Sequence, residues 1–301
     1  MPNTLRFRPD HTFTLVQFTD LHWKNGEPDD LKTRALMERV LESEKPDLVM
    51  LTGDVIEGGS CADPANSWRE AVQPMVARKI PWAAVFGNHD DEGALSRREL
   101  LAVQQSLPGC LSESGPVGLS GVGNYILDIR ASADEQTAAR LYCLDSQSYA
   151  EPKTGGYGWI QPDQIAWYLE QAQTARAANS GQPLPALAFF HIPFPEYNDV
   201  WDKHACQGHK QEDVCCPQFN SGFFAALREG GDVLGTFVGH DHVNDFVGEL
   251  DGIRLCYGRA SGFNTYGLTG FERGARFIQL YEGRREFKTW LRLEKDDGVK
   301  G

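Results

Sequence analysis

A chain of 301 residues can bury about three quarters of the surface its unfolded form exposes, so neither a disulfide nor a metal is needed for folding. Apolar residues at 41% and charged residues at 24% exclude intrinsic disorder. With 29 basic against 42 acidic residues the net charge is −13, which argues against a general nucleic-acid-binding face and an anionic membrane surface. Hydrophobic periodicity then predicts the elements in order. Phe13–Phe18 reads as a strand. Asp29–Glu44 reads as an amphipathic helix with an apolar stripe at Leu31, Ala35, Leu36, Val40 and Leu41. Next come a strand at Asp47–Leu51, a helix at Trp68–Arg78, a strand at Pro81–Phe86 and a helix at Gly93–Ser106. This β-α-β-α-β-α opening implies a mostly parallel sheet covered by helices. Beyond it the pattern changes. Gly123–Ile129 and Arg140–Leu144 read as antiparallel strands, Pro162–Ala178 as a long helix and Ala186–Phe190 as a buried strand. Residues 194–222 form a long polar, Gly- and Cys-containing loop, a length typical of binding elements. Strands recur at Val233–Val238, Ile253–Tyr257, Arg276–Tyr281 and Phe287–Leu291. Helices wrapped around two sheets fit one domain, residues 1–301, better than two.

Met1–Phe13 has neither an apolar h-region nor a cleavage site, so a cytoplasmic protein is expected, with a secreted protein that has lost its leader as the alternative. The longest apolar stretch, Leu184–Phe194, is too short to span a bilayer, so no membrane partner is expected. Seven scattered cysteines read as reduced thiols. Cys206, Cys215 and Cys216 are close enough in sequence for a local disulfide as the alternative; the absence of a C-x-x-C pair disfavours zinc there. There is no G-x-x-x-x-G-K-[ST] phosphate loop. Gly121-Val-Gly123 does not continue as a dinucleotide fingerprint, and Gly258-Arg-Ala-Ser261-Gly262 lacks nucleophile-elbow spacing.

The informative feature is the group of residues at the end of each apolar strand. Phe13–Thr19 runs into Asp20-Leu-His22, and Asp47–Thr52 runs into Gly53-Asp54. Trp82–Phe86 runs into Gly87-Asn88-His89-Asp90, Ala186–Phe190 into His191, and Val233–Val238 into Gly239-His240-Asp241-His242. Sites in α/β sheets form at the carboxyl ends of strands. One Gly-Asp dipeptide is best read as a turn, and one histidine as a satisfied core or surface residue. Five strand ends in one chain, carrying five of its eight histidines, are not accounted for by turn chemistry. Imidazole and carboxylate donors suit Zn, Mn or Fe. Asp20, His22, Asp54, Asn88, His191, His240 and His242 are enough donors for two ions, with Asp54 central in order and able to bridge. Paired cations would polarise a phosphoryl group and lower the pKa of a shared water, supplying the positive field that the acidic surface lacks.

In this order the five blocks resemble the signature of calcineurin-like metallophosphoesterases. The resemblance implies a four-layer α/β/β/α sandwich of two mixed β-sheets flanked by helices. It implies a first metal held by Asp20, His22, Asp54 and His242, and a second held by Asp54, Asn88, His191 and His240. His89 would assist the leaving group, with Asp90 orienting it. The segments Phe86–Asp91, Gly158–Ile160, Phe190–Pro195, Asn220–Phe223 and Gly239–Phe246 resemble the purple-acid-phosphatase-like branch. One departure stands out. That branch's tyrosine ligand, three residues after the Gly-Asp aspartate, is Glu57 here, so His22 is expected to take its place and no purple colour is expected. The expected activity is hydrolysis of a small phosphate monoester by a metal-bound hydroxide attacking phosphorus, with two divalent or mixed-valence ions of Fe, Mn or Zn. A phosphodiesterase on cyclic nucleotides or glycerophosphodiesters, and a non-catalytic scaffold, are the alternatives. Trp23, Glu57, Asp91, Asn220, Tyr266 and the loop carrying His204 and His209 are candidate pocket residues.

Overall fold

The computed structural model describes residues 4–296; residues 1–3 and 297–301 of the expected domain lie outside the described residues. One sheet is built from β1 (Thr12–Phe18), β2 (Leu48–Thr52), β3 (Trp82–Val85), β11 (Gly274–Tyr281) and β12 (Phe287–Leu293), in the order β12-β11-β1-β2-β3. β1, β2 and β3 are parallel, and β11 runs antiparallel to both β1 and β12. The other sheet contains β4 (Tyr125–Arg130), β5 (Thr137–Cys143), β6 (Ala186–Phe189), β7 (Cys206–Gln207), β8 (Val233–Val238), β9 (Val247–Leu250) and β10 (Ile253–Tyr257), in the order β4-β5-β6-β8-β10-β9-β7. Its centre, β5-β6-β8-β10, is parallel, and its outer pairs are antiparallel.

Strand alternation explains the layers. In β1, Leu15 faces the other sheet while Val16 faces the helices; in β2, Leu48 and Met50 face inward and Val49 and Leu51 outward. A strand buried on both faces needs a continuous apolar run, which is what these segments show. The inter-sheet core joins Leu15, Met50 and Val85 to Leu187, Phe189, Phe237 and Cys256. The outer face of the first sheet is covered by α1 (Pro28–Glu44), α2 (Pro64–Ala71), α3 (Gln73–Arg78) and α4 (Arg97–Gln105). The outer face of the second carries α5 (Pro162–Ala178), α6 (Glu196–Lys203) and α7 (Phe223–Gly230). The architecture is therefore the expected four-layer α/β/β/α sandwich. Among the described residues no helix is long and apolar enough to cross a membrane, and the seven cysteines are free thiols.

Several boundaries differ from expectation. The helix expected over Trp68–Arg78 is two helices that break at Val72, because Pro74 has no N–H for the fourth carbonyl before it. The helix expected from Gly93 starts at Arg97, where Ser96 and Glu99 form a capping box. The expected loop 194–222 contains α6 and β7, and α7 and β9 have no counterpart among the expected elements. β9 and β10 form a hairpin whose turn, Asp251-Gly252, has φ of 50° and 81°. Asp-Gly is a strong hairpin signal, so β9 is readable from sequence.

Candidate metal centre

The two sheets meet at the carboxyl ends of their parallel strands. The Gln17 side-chain amide donates to Thr52 Oγ1 at 2.7 Å and to the Val238 carbonyl at 2.9 Å, joining β1, β2 and β8. The Ser261 N–H, beyond β10, donates to the Thr19 carbonyl at 3.0 Å. Past this seam the chain leaves each strand abruptly. Asp20, His22, Asp54 and His240 have φ of 53°, 46°, 48° and 78°, a left-handed conformation that is unfavourable for residues with a Cβ. Gly53 and Gly87 make the close approach possible, since a Cβ at either would run into the His191 ring or the Asp54 carboxylate respectively.

These bends aim the donors inward. Asp20 Oδ1 accepts the His240 N–H at 3.0 Å, and Asp54 Oδ1 accepts the His89 N–H at 2.8 Å. Each carboxylate thus spends one oxygen on the main chain of another motif and turns the other, Oδ2, into the interior without a hydrogen-bond partner. The imidazoles are fixed in the same way. His191 Nδ1 lies 2.8 Å from the Thr52 carbonyl, which can only accept, so Nδ1 carries the proton and Nε2 presents a lone pair. His22 Nδ1 lies 2.5 Å from Glu57 Oε2, and His242 Nδ1 lies 2.7 Å from Thr265 Oγ1.

The result is a convergence of acceptors. His22 Nε2 is 3.2 Å from His242 Nε2; His191 Nε2 is 3.0 Å from Asp54 Oδ2 and 3.3 Å from His240 Nδ1. Asn88 gives its amide N–H to the Tyr149 hydroxyl at 3.0 Å, leaving a buried Oδ1 without a partner. Lone pairs packed this closely require protons or cations between them. Without a cation, burial pushes His240 down to about 3, helped by the charge of His191. Burial also opposes ionisation of Asp20 and charging of His191, yet His242 holds the former at about 2 and Asp54 lifts the latter to about 9. The donors fall into two sets that share Asp54: Asp20, His22, Asp54 and His242, and Asp54, His191 and His240, with donor atoms within 4.8 Å of one another in each set. Two orphaned carboxylate oxygens, an orphaned amide oxygen, three oriented imidazoles and the His240 ring, whose buried Nε2 also lacks a partner, are a donor set that fits hard or borderline divalent cations.

His89 stands beside this cluster with its ring 5.2 Å from that of His22. Asp90, expected to orient it, does something else. Its carboxylate is buried and accepts the N–H groups of Gly87 at 2.7 Å, Ile56 at 3.0 Å and Asp54 at 3.1 Å, locking the ends of β2 and β3 together. The His89 ring is held instead by Glu92, whose Oε2 is 2.9 Å from Nδ1. Burial pulls the His89 pKa down, but the charges of Asp54, Glu92 and Glu57 together carry it above the ordinary histidine value. Glu92 also accepts the Tyr149 hydroxyl at 2.9 Å. Tyr149 stacks on Tyr157, which meets the His240 ring edge-on at 4.2 Å. Tyr149, Tyr157 and Thr265 have no motif to reveal them and only the fold brings them here, whereas Glu92 lies in the same turn, three residues past His89.

Of the candidate pocket residues, Glu57 and Tyr266 are at the site. Tyr266 stacks on His242 at 4.1 Å and gives its hydroxyl to Glu212 at 2.8 Å. Trp23 is fully buried core with its indole N–H on Glu70. Asp91 pairs with Arg97 at 3.1 Å, Asn220 donates to Glu196 at 2.8 Å, His204 ends α6 and His209 lies 3.4 Å from Asp245.

Comparison with known proteins adds an independent line. A family model described as calcineurin-like phosphoesterase matches residues 13–244. A protein of Arabidopsis thaliana named probable inactive purple acid phosphatase 29 is 37% identical over 96% of this chain and 84% of its own length. Phosphatase DCR2 of Saccharomyces cerevisiae is 36% identical over 93% of this chain and 54% of its own length. A solved dimetal phosphatase from Danio rerio is similar in fold, with a TM-score of 0.59 at 16% identity, covering 92% of this chain and 98% of that one.

Proposed function

The chain belongs to the calcineurin-like phosphoesterase family, in its purple-acid-phosphatase-like branch, and on that premise we propose that it hydrolyses a small phosphate monoester at a dinuclear metal centre. Asp20, His22, Asp54 and His242 hold one ion; Asp54, Asn88, His191 and His240 hold the other. The observation that carries this reading is the set of buried, unpartnered oxygens on Asp20, Asp54 and Asn88, with Asp54 Oδ2 lying 3.0 Å from His191 Nε2 and both aspartates clustered with histidine nitrogens. Bound there, two cations supply a Lewis-acidic centre that polarises the phosphoryl group and acidifies a water.

The chain's own residues do the rest. Asp20 and Asp54, tied to the main chain of other motifs, fix the spacing of the donors. His89, oriented by Glu92 at 2.9 Å from its Nδ1, donates a proton to the departing alkoxide. The alkoxide leaves as the alcohol, and His89 takes a replacement proton from solvent, which the negative charge of Glu92 favours.

A second reading, a phosphodiesterase, has one specific observation in its favour. Among the described residues, Asp20, Asp54, Glu57 and Glu92 form ion pairs with histidines alone, and no Arg or Lys joins them. A diester carries one negative charge fewer than a monoester dianion and needs less cationic help. Relatives named inactive raise the third reading, a scaffold. p-Nitrophenyl phosphate and its bis ester, assayed with Mn, Fe and Zn added separately, distinguish the three. Preference for the first ester supports the monoesterase and preference for the second the diesterase. Two bound ions without turnover on either would establish a scaffold.

A further inference from the structure

We propose that Glu57 is a positioning residue that sets the tautomer of His22 and makes the ion held by Asp20, His22, Asp54 and His242 the tighter of the two. The inference rests on the dinuclear reading above.

Glu57 sits where two functional segments are laced together. Its N–H donates to the Trp23 carbonyl at 2.9 Å, one residue past His22, and the next N–H, of Gly58, donates to the His89 carbonyl at 3.0 Å. Trp23 and Ile56 form a bridge alongside. The main chain at 57–58 is therefore fixed against both the His22 bend and the His89 turn. From this anchor the side chain reaches inward. Oε2 lies 2.5 Å from His22 Nδ1, and Oε1 lies 3.8 Å from His89 Nδ1. A carboxylate at hydrogen-bond distance requires a donor, so His22 carries its proton on Nδ1. The lone pair on Nε2 then points toward Asp54 Oδ2, 3.7 Å away. The opposite tautomer would place an N–H in the middle of the donor set and block it.

The three Nε2-facing imidazoles are not supported equally. His191 leans on the carbonyl of Thr52 and His242 on the hydroxyl of Thr265, both neutral. His22 alone leans on an anion, half-buried, with its side chain 24% exposed. A carboxylate behind an imidazole raises its basicity as a ligand, and loss of such a partner typically costs about 10–100-fold in metal affinity. The same donor set also holds two carboxylates, whereas the other combines Asp54 with the neutral Asn88. Both differences favour the position containing His22.

The test is a two-site titration of metal-stripped protein with Zn(II), and separately Co(II), against a competing chelator, for the wild type, Glu57→Gln and Glu57→Ala. Wild type is expected to bind two ions in separable steps. Glu57→Ala is expected to weaken the first step by about 10–100-fold and leave the second unchanged. Glu57→Gln keeps an acceptor for Nδ1 but not the charge, and should lose about 10-fold. In the Co(II) protein the paramagnetically shifted, exchangeable N–H signal of His22 should be present in wild type and Glu57→Gln and absent in Glu57→Ala. Circular dichroism checks the fold, and the Gln variant carries the test if the Ala variant unfolds. Unchanged first-step affinity in the folded variants overturns the role of Glu57. A wild type that binds no ion overturns the metal centre itself, and is distinguished by that result from failure of the Glu57 assignment.

Discussion

Replacing Asp90 by alanine separates structural support from a role in catalysis. The wild-type carboxylate receives N–H groups from Gly87, Ile56 and Asp54, all on buried main chain. Deleting it strands three donors, each costing about 1–3 kcal/mol when left unpaired, so roughly 3–9 kcal/mol in all. Part is offset, because the variant no longer buries a charge. Burial, together with the charge of Asp54, pushes the Asp90 carboxyl from 3.8 up to about 6, and that shift corresponds to about 3 kcal/mol. The net loss then lies between about 0 and 6 kcal/mol, centred near 3 kcal/mol. Urea unfolding of metal-free wild type and variant measures it, as a lower midpoint with an unchanged m-value. A loss below about 1 kcal/mol accompanied by a fall in kcat at full metal occupancy would refute this reasoning and return Asp90 to the role of orienting His89.

Four further outcomes are expected. His89→Ala should lower kcat by about 10²–10⁴-fold with two ions still bound; metal lost in step with activity would contradict the separation of His89 from the donor set. Chelation should lower the Tm, since ions at 100 times their Kd stabilise the folded state by about 2.7 kcal/mol each; identical melting with and without chelator would count against the centre. Iron-loaded protein should lack an intense visible charge-transfer band, because the donor set contains no tyrosine; such a band persisting in His22→Ala would show that a phenolate is a ligand. Arg97 is buried, pairs with Asp145 and donates to the Gly87 carbonyl at 2.7 Å. Arg97→Met should cost about 3–5 kcal/mol by leaving the Asp145 charge uncompensated, and a neutral effect in thermal unfolding would exclude that pairing as a source of stability.

The five strand-end blocks are legible because two local rules coincide in each. An apolar run buried on both faces identifies the strand, and the ligand-type residue directly after it is carried to the edge where parallel strands converge. The layers are legible for a similar reason, since apolar positions alternate between the helices and the opposite sheet, as Leu15 and Val16 do. Short elements are harder to read. α7 spans Phe223–Gly230, too few residues for a helical stripe to stand out. Asp90 departs from its expected role because adjacency in sequence does not fix direction. In the turn after β3 the side chains of residues 89 and 90 point apart, one to the opening and one to the N–H groups beneath. Glu92 and Tyr149 act on His89 and Asn88 across 3 and 61 positions of sequence, and the longer contact exists only once both sheets have packed.

The strand order has a consequence for when this centre can exist. β1 lies between β2 and β11, so this strand has one neighbour in residues 48–52 and the other in residues 274–281. His240 reaches back 220 positions to Asp20 for its main-chain hydrogen bond. A chain emerging from the ribosome therefore carries an open, apolar β1 edge until residues 274–281 have been made, and contacts of such long sequence separation close slowly. Assembly of the donor set is in this sense a proofreading event: all five segments come within reach of a cation only once the chain from Asp20 to His242 has been made and has folded back on itself.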